Sequence, residues 1–313
     1  MATYTLLQEN DIQTIARAYG LTIHSFEAME GGAANSSFRI NATRGDFVLT
    51  VFDSKEWEEV VRLGKLLNYL DENEFSTTNP LPRLDGTFVT RYNHLPVLIK
   101  QYIRGEVHHS LTKTMLSRTG EAMAALHEIP PPDYLPVTHS YGRQTFSEVV
   151  GKGIDAEYET WLAEKHQYLM ARIPKNLPRG LIHGDLFRDN LLFNDQQLRA
   201  VIDFEEACNY FFVFDIGMGI VGQCREGNRI SLGKAKEFVS GYQRVRKLEK
   251  RPRESLKIFA EYAAIATSYW RFWNYNICLP TPKKKMLHRR MMQMADHIRS
   301  IPTKDFNRAL FGA

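Results

Sequence analysis

The chain has 313 residues, 43% of them hydrophobic and 12% aromatic, which is enough to bury a sizeable core and excludes a disordered or low-complexity protein. Forty Lys+Arg against 36 Asp+Glu leave a formal charge of +4, a mild excess that does not by itself call for nucleic acid. The three cysteines lack CxxC spacing, which argues against a disulfide framework or a zinc site; with no export signal and no apolar run of about 18 residues, a cytoplasmic protein with no membrane partner is expected.

In chain order, the alternating runs SSFRI and DFVLTVF are separated by NATRG, which predicts a β-hairpin ending near residue 52. Residues 56–71 then place Leu63, Leu66, Leu67 and Leu70 on one helical face. LPVLIKQYI at 95–103 reads as a strand leaving a first lobe, and RGEVHHS as a connector. Ser110 is the expected cap of a helix carrying Leu116, Gly120, Met123 and His127 on one stripe, and PPPDYLP at 130–136 ends it. His127 reads as structural, because it shares its apolar stripe with Met123. From about 155 onward the chain is mostly helical, interrupted by 181–204. The basic runs at 244–253 and 283–290 read as solvated surface, so no nucleic-acid partner is expected.

The interruption carries the chemistry. LLF at 191–193 and LRAVI at 198–202 are apolar enough for two short strands, with NDQQ as turn. Closing that hairpin brings Asn190 beside Asp203. A carboxylate and an amide oxygen suit Mg²⁺, which prefers oxygen ligands and keeps further positions for water and phosphate. Asp185, five residues before Asn190 in HGDLFRDN, is then placed to accept a proton from an attacking hydroxyl. The Asp-to-Asn interval matches the protein-kinase catalytic loop, and IDFEE supplies the later metal-binding aspartate. The expected reaction is phosphoryl transfer.

HGD with this spacing resembles the aminoglycoside phosphotransferase and choline kinase superfamily. Within it EGGAANSSF at 30–38, GDFVLTVFD at 45–53, HGDLFRDNLLF at 183–193, IDFEEACN at 202–209 and GYQRVRKL at 241–248 closely resemble the bacterial homoserine kinases. The resemblance implies an α+β, two-lobed protein-kinase-like fold with a β-rich nucleotide lobe over 1–102 and a mainly helical lobe over 103–313. It implies ATP and Mg²⁺ as cofactors, a small-molecule acceptor, and phosphorylation of the L-homoserine hydroxyl on the route to threonine. Nucleotide contacts are expected at Gly31, Gly32, Asn35, Ser36 and Ser37, where small residues let backbone amides approach phosphate. The hinge is expected at Gln101 and Ile103, and Val48 faces the adenine.

Two departures bear on the site. Period-two alternation puts Thr50 where most kinases carry the lysine that pairs with the phosphates; the homoserine kinases share this VLT, and Arg188 or Lys55 is the expected replacement cation. Ala34 stands where those relatives tend to show an acid, and Glu205 where they tend to show tyrosine. A zwitterionic acceptor needs a cation for its carboxylate and a carboxylate for its ammonium, which Arg271 and Glu205 or Asp215 are placed to supply. Choline, ethanolamine, another amino alcohol or an aminoglycoside is the alternative acceptor. A nucleotide-binding pseudokinase, suggested by Thr50, is the reading from another class.

Overall fold

A computed structural model describes residues 5–29 and 35–312 of the chain. It divides into two units, one made of the chain up to Gly105 with Arg199–Ile202, the other of Glu106–Leu198 with the chain from Asp203 onward.

In the first unit, Glu9–Arg17 (α1) precedes Ile23–Ala28 (β1), Ser36–Ala42 (β2), Gly45–Val51 (β3), Trp57–Glu72 (α2), Val89–Tyr92 (β4) and Leu95–Gln101 (β5). The strands make one antiparallel sheet in the order β1-β2-β3-β5-β4. Alternation decides its faces. Phe38, Ile40, Phe47, Leu49 and Val51 form a core with Val97, Ile99 and the Ile12, Ile15 and Ala16 side chains of α1. The opposite face carries Ser37 across from Thr50, and Arg39 across from Val48. Leu98, across from Thr50, belongs to this second face, and α2 packs there. An added Cβ at its Gly64 would lie 3.1 Å from Phe88 and 3.7 Å from Leu98. Leu63, Leu66, Leu67 and Leu70 are all buried, each contributing about 1.5–3 kcal/mol of transfer free energy.

From Glu106 the chain is mainly helical. Lys113–Glu128 (α3) and Ala156–Arg172 (α4) lead to the short strands Arg179–Ile182 (β6), Leu191–Asn194 (β7), Gln197–Val201 (β8) and Cys208–Phe211 (β9). Phe212–Gln223 (α5), the small hairpin Arg225–Glu226 (β10) and Arg229–Ile230 (β11), Leu232–Val245 (α6), Lys250–Phe272 (α7), Leu287–Ser300 (α8) and Thr303–Phe311 (α9) follow. Thr112, not Ser110, caps α3: its hydroxyl accepts the Met115 amide at 3.3 Å and also donates to Gln196 at 2.9 Å. The second contact spans 84 residues, so no local signal separates the two hydroxyl residues.

Helices α3 and α6 cross at backbone distance because both carry glycine at the crossing. A Cβ at Gly120 would lie 2.1 Å from the Phe238 carbonyl oxygen, and one at Gly241 2.0 Å from that of Ser117. Any side chain there would force the helices apart. Every residue of α5 is buried. Pairing of Ile182 with Cys208 in the β6–β9 ribbon ties the start of HGDLFRDN to the strand that enters α5. Tyr262, Ile265 and Tyr269 are buried along α7, and the helix widens into a π-helical turn over Trp273–Cys278. In the basic runs, Arg244 pairs with Glu121 at 2.8 Å and Arg289 with Asp155 and Glu157 at 2.9 Å. Among the described residues no helix is long and apolar enough to cross a membrane.

Candidate active site

HGDLFRDN leaves β6 as a loop whose shape is fixed from behind by one buried carboxylate. Asp215, fully buried in α5, accepts the backbone amides of His183 at 2.9 Å and Gly184 at 2.8 Å, and lies 3.1 Å from His127 Nε2. Burial raises its proton affinity, but the His127 ring and these amides outweigh that, so the carboxyl stays below the usual range. His127 is itself buried, which disfavours its charged form, and its Nδ1 meets the Tyr242 hydroxyl at 2.9 Å. Asp215 is therefore a loop anchor with no side-chain oxygen left over, and the expectation that it binds acceptor fails. Gly184 has φ +84°, and a Cβ there would lie 2.6 Å from the Glu206 carbonyl oxygen. That combination accounts for HGD in place of the kinase HRD.

The loop delivers Asp185, half-buried, with its amide hydrogen-bonded to His183 Nδ1 at 3.2 Å. Burial and then the negative charge of Asp203 push its carboxyl up to about 7; Glu206 and Asp189 add to this, and a hydrogen bond from the Tyr141 hydroxyl at 2.8 Å opposes it. Such a group takes up and releases a proton near neutral pH, as a general base requires. Asn190 donates its side-chain N–H to the Asp185 carbonyl at 2.8 Å, so its amide oxygen remains for a ligand. Asp203 is exposed and held at φ +68°, and no hydrogen bond or ion pair ties its carboxylate among the described residues. A free carboxylate and an oriented amide oxygen are hard donors and fit Mg²⁺ with positions left for phosphate.

Arg188 does not face this group. Its guanidinium donates to the carbonyl oxygens of His109 and, at 3.3 Å, of Arg225, so the expectation that it replaces the missing lysine is not met. Glu205 lies two residues past Asp203 and is half-buried. Its neighbour Glu206, which accepts the Ser140 hydroxyl, is one of the acids whose charge acts on Asp185.

Arg271 is half-buried at the end of α7. Burial and the nearby charge of Arg225 depress its proton affinity, Tyr275 and Asp185 raise it, and Arg290 again opposes it. Its Nη1 reaches the Leu287 carbonyl at 3.5 Å, too long for a strong bond. Trp270 and Tyr275 stand beside it, 5.8 Å apart edge to face, and Trp270 lies 6.3 Å from Tyr141. Arg271 and Asp185 thus belong to one neighbourhood that also holds Arg225, Arg290, Tyr141, Trp270 and Tyr275. Of these only Asp185, Arg271, Trp270 and Tyr275 stand out in the sequence.

The nucleotide candidates lie on the first unit. Gly31, Gly32 and Ala34 are outside the described residues, and Asn35 directly precedes β2. The Ser37 and Thr50 hydroxyls meet at 3.4 Å on the second face of the sheet, with Val48 in the same row. Ser36 alternates to the other side. Its hydroxyl donates to Asp53 at 2.6 Å and accepts the Thr5 amide at 2.8 Å, so its side chain is committed within the unit. Thr50 is buried and brings no charge to the face, whereas Lys100, across from Val48, does. The Gln101 amide donates to the Asn79 carbonyl at 2.8 Å, which leaves its carbonyl for a base edge. Among the described residues no acceptor takes the Ile103 N–H.

The sequence profile of the Phosphotransferase enzyme family matches residues 25–248. A homoserine kinase of Sinorhizobium fredii is 28% identical over 284 residues, covering 88% of this chain and 87% of that protein. One of Agrobacterium fabrum is 27% identical over 291 residues, covering 90% and 89%. Among solved structures, a microcompartment-associated aminopropanol kinase aligns with a TM-score of 0.74 at 18% identity, over 96% of this chain and all (100%) of that one. An amicoumacin kinase in complex with AMP-PNP, Ca²⁺ and Ami aligns with a TM-score of 0.69 at 15% identity, over 95% and 97%. Both structures share the fold: an N-terminal sheet unit followed by a helical one.

Proposed function

Because this chain belongs to the phosphotransferase enzyme family, we propose that it is an ATP-dependent kinase whose acceptor is the hydroxyl of L-homoserine. The observation that carries the acceptor class is Arg271, a partly buried cation beside Asp185 whose neighbours Arg225 and Arg290 add positive charge. Like charges gathered around a partly desolvated cation favour an anion from the substrate. A carboxylate is what homoserine has and choline lacks. The homoserine kinases aligned over about nine-tenths of the chain support the same acceptor.

The residues divide the work. Arg271 would hold the acceptor carboxylate, and Glu206, whose charge acts on Asp185, would supply negative charge for its ammonium. Asp185 takes the proton as the hydroxyl oxygen bonds to the terminal phosphorus and the bond to the leaving ADP oxygen breaks. Asp203 and the Asn190 amide oxygen would hold Mg²⁺, which when bound supplies charge neutralisation for the phosphates. Ser37, Thr50, Val48, the Gln101 carbonyl and the Ile103 amide are the nucleotide-side groups, joined by Gly31, Gly32 and Asn35 on the strength of the resemblance.

A second reading, an amino alcohol without a carboxylate, draws on the Trp270–Tyr275 edge-to-face pair, since aromatic faces attract ammonium groups. Arg271→Met separates the two. Removing the cation leaves an acceptor carboxylate unpaired in a partly desolvated place, a loss on the order of 1.5–3 kcal/mol, or roughly ten- to a hundredfold in kcat/KM. Homoserine turnover should fall by that amount while ethanolamine turnover changes little, measured as ADP release on both acceptors. Equal loss on both acceptors, or no loss on either, would remove Arg271 from the acceptor site.

A further inference from the structure

Behind the catalytic loop lies a three-residue segment, His139-Ser140-Tyr141, that no sequence motif marks; its His139 and Tyr141 side chains touch the loop, and Ser140 reaches Glu206. His139 is buried and its Nε2 meets the Gly184 carbonyl oxygen at 3.0 Å. Ser140 donates to the Glu206 carboxylate. The Tyr141 hydroxyl, buried, lies 2.8 Å from an Asp185 carboxylate oxygen and 3.3 Å from the Gly184 carbonyl. The rings of His139 and Tyr141 pack edge to face at 4.2 Å, and Tyr141 is 6.3 Å from Trp270.

We propose that Tyr141 is a positioning residue of this phosphotransferase: its hydroxyl donates to one Asp185 oxygen and so turns the other oxygen toward the acceptor hydroxyl. The inference rests on Asp185 acting as the base. A phenol has one proton to give, and Asp185 is the acceptor that is charged when the base is competent. The Asp185 amide and carbonyl are held by His183 and Asn190, which fix the backbone and leave the carboxylate free to rotate. Tyr141 is the side chain that stops that rotation.

Tyr141→Phe keeps the ring and removes the donor. Loss of one hydrogen bond to a charged group should lower kcat roughly ten- to a hundredfold while KM for ATP and for homoserine stays near the parent value. The decisive readout is the double-mutant cycle with Asp185→Asn: a residue that acts by orienting Asp185 lowers kcat in the parent and has little further effect in the Asp185→Asn background, whereas a residue that merely supports the fold lowers kcat by the same factor in both. Incorporation of 3-fluorotyrosine at position 141, which keeps the donor and the shape, should retain a near-parent kcat, and it keeps the test informative if the Phe variant folds poorly. A parent-like kcat in Tyr141→Phe, or the same loss in both backgrounds, would overturn the proposal. Asp185→Asn also separates this inference from the one beneath it: if that variant turns over normally, Asp185 is not the base and both fail; if it is slow while Tyr141→Phe keeps the parent kcat, only the role of Tyr141 fails.

Discussion

Asp203→Asn yields a folded protein that has lost turnover at ordinary magnesium concentrations. The fold survives because asparagine adopts the left-handed backbone of position 203, at φ +68°, as readily as aspartate does. The side chain is exposed, so no packing is lost. What disappears is the charged oxygen donor of the pair completed by Asn190. Metal stabilisation of transition-state charge is worth several kcal/mol, or roughly 10²–10⁴-fold in kcat at about 1.36 kcal/mol per factor of ten. The same substitution removes the charge that helps push the Asp185 carboxyl up, so the base ionises more easily in the variant. A fall in activity then cannot be assigned to the base, and near-normal kcat would remove Asp203 from the metal site.

Asp185→Asn separates catalysis from stability. Loss of a general base lowers kcat by roughly 10²–10⁴-fold, with ATP affinity little changed, because Asp185 touches the proton in flight and not the nucleotide. Stability moves the other way. The folded carboxyl holds its proton up to about 7, chiefly through burial and the Asp203 charge, against an ordinary value of 3.8. Between those limits the folded state binds more protons than the unfolded one, so the group's contribution is full below the lower limit and is lost as pH rises through the upper one. Asparagine carries no such penalty. The variant should melt at a higher temperature than the parent at pH 8 in EDTA, and the difference should shrink toward pH 4. ATP binding that collapses while kcat holds would make Asp185 a nucleotide or structural residue.

Local pattern was enough for the elements whose information is local. Alternation placed β2 and β3 and put Thr50 on the face opposite Leu49 and Val51, and the four leucines of α2 marked its inner face. HGDLFRDN carried Asp185 and Asn190 because their separation along one loop is their separation in space. Side-chain direction was not legible where a distant partner decides it. Arg188 sits in the right loop but is drawn away by carbonyls 79 and 37 residues distant. Ser36 and Ser37 look alike in sequence, yet adjacent strand residues point to opposite faces and only Ser37 reaches Thr50.

Asp215 carried a readable warning. An aspartate inside FVFDIGMGIVGQ has no water-facing side, so it must satisfy itself internally, as it does with the His183 and Gly184 amides and His127. Tyr141 and Glu206 reach the site from outside HGDLFRDN, Tyr141 from 44 residues upstream of Asp185, and no spacing rule connects either to it. The missing lysine is the plainest case of a question the motif poses and the fold only narrows: Lys100 shares the sheet face with Thr50 by register, whereas nothing in the motif points to it.

The acceptor is tested most directly by ³¹P NMR on the purified chain with ATP, MgCl₂ and L-homoserine, alongside matched reactions with choline and ethanolamine. The proposed function predicts one new phosphomonoester resonance from homoserine, growing in step with ADP, and much slower product from the two acceptors that lack a carboxylate. Faster product from choline or ethanolamine would contradict the acceptor assignment, and no phosphomonoester from any amino alcohol would contradict the kinase reading and favour a nucleotide-binding regulator.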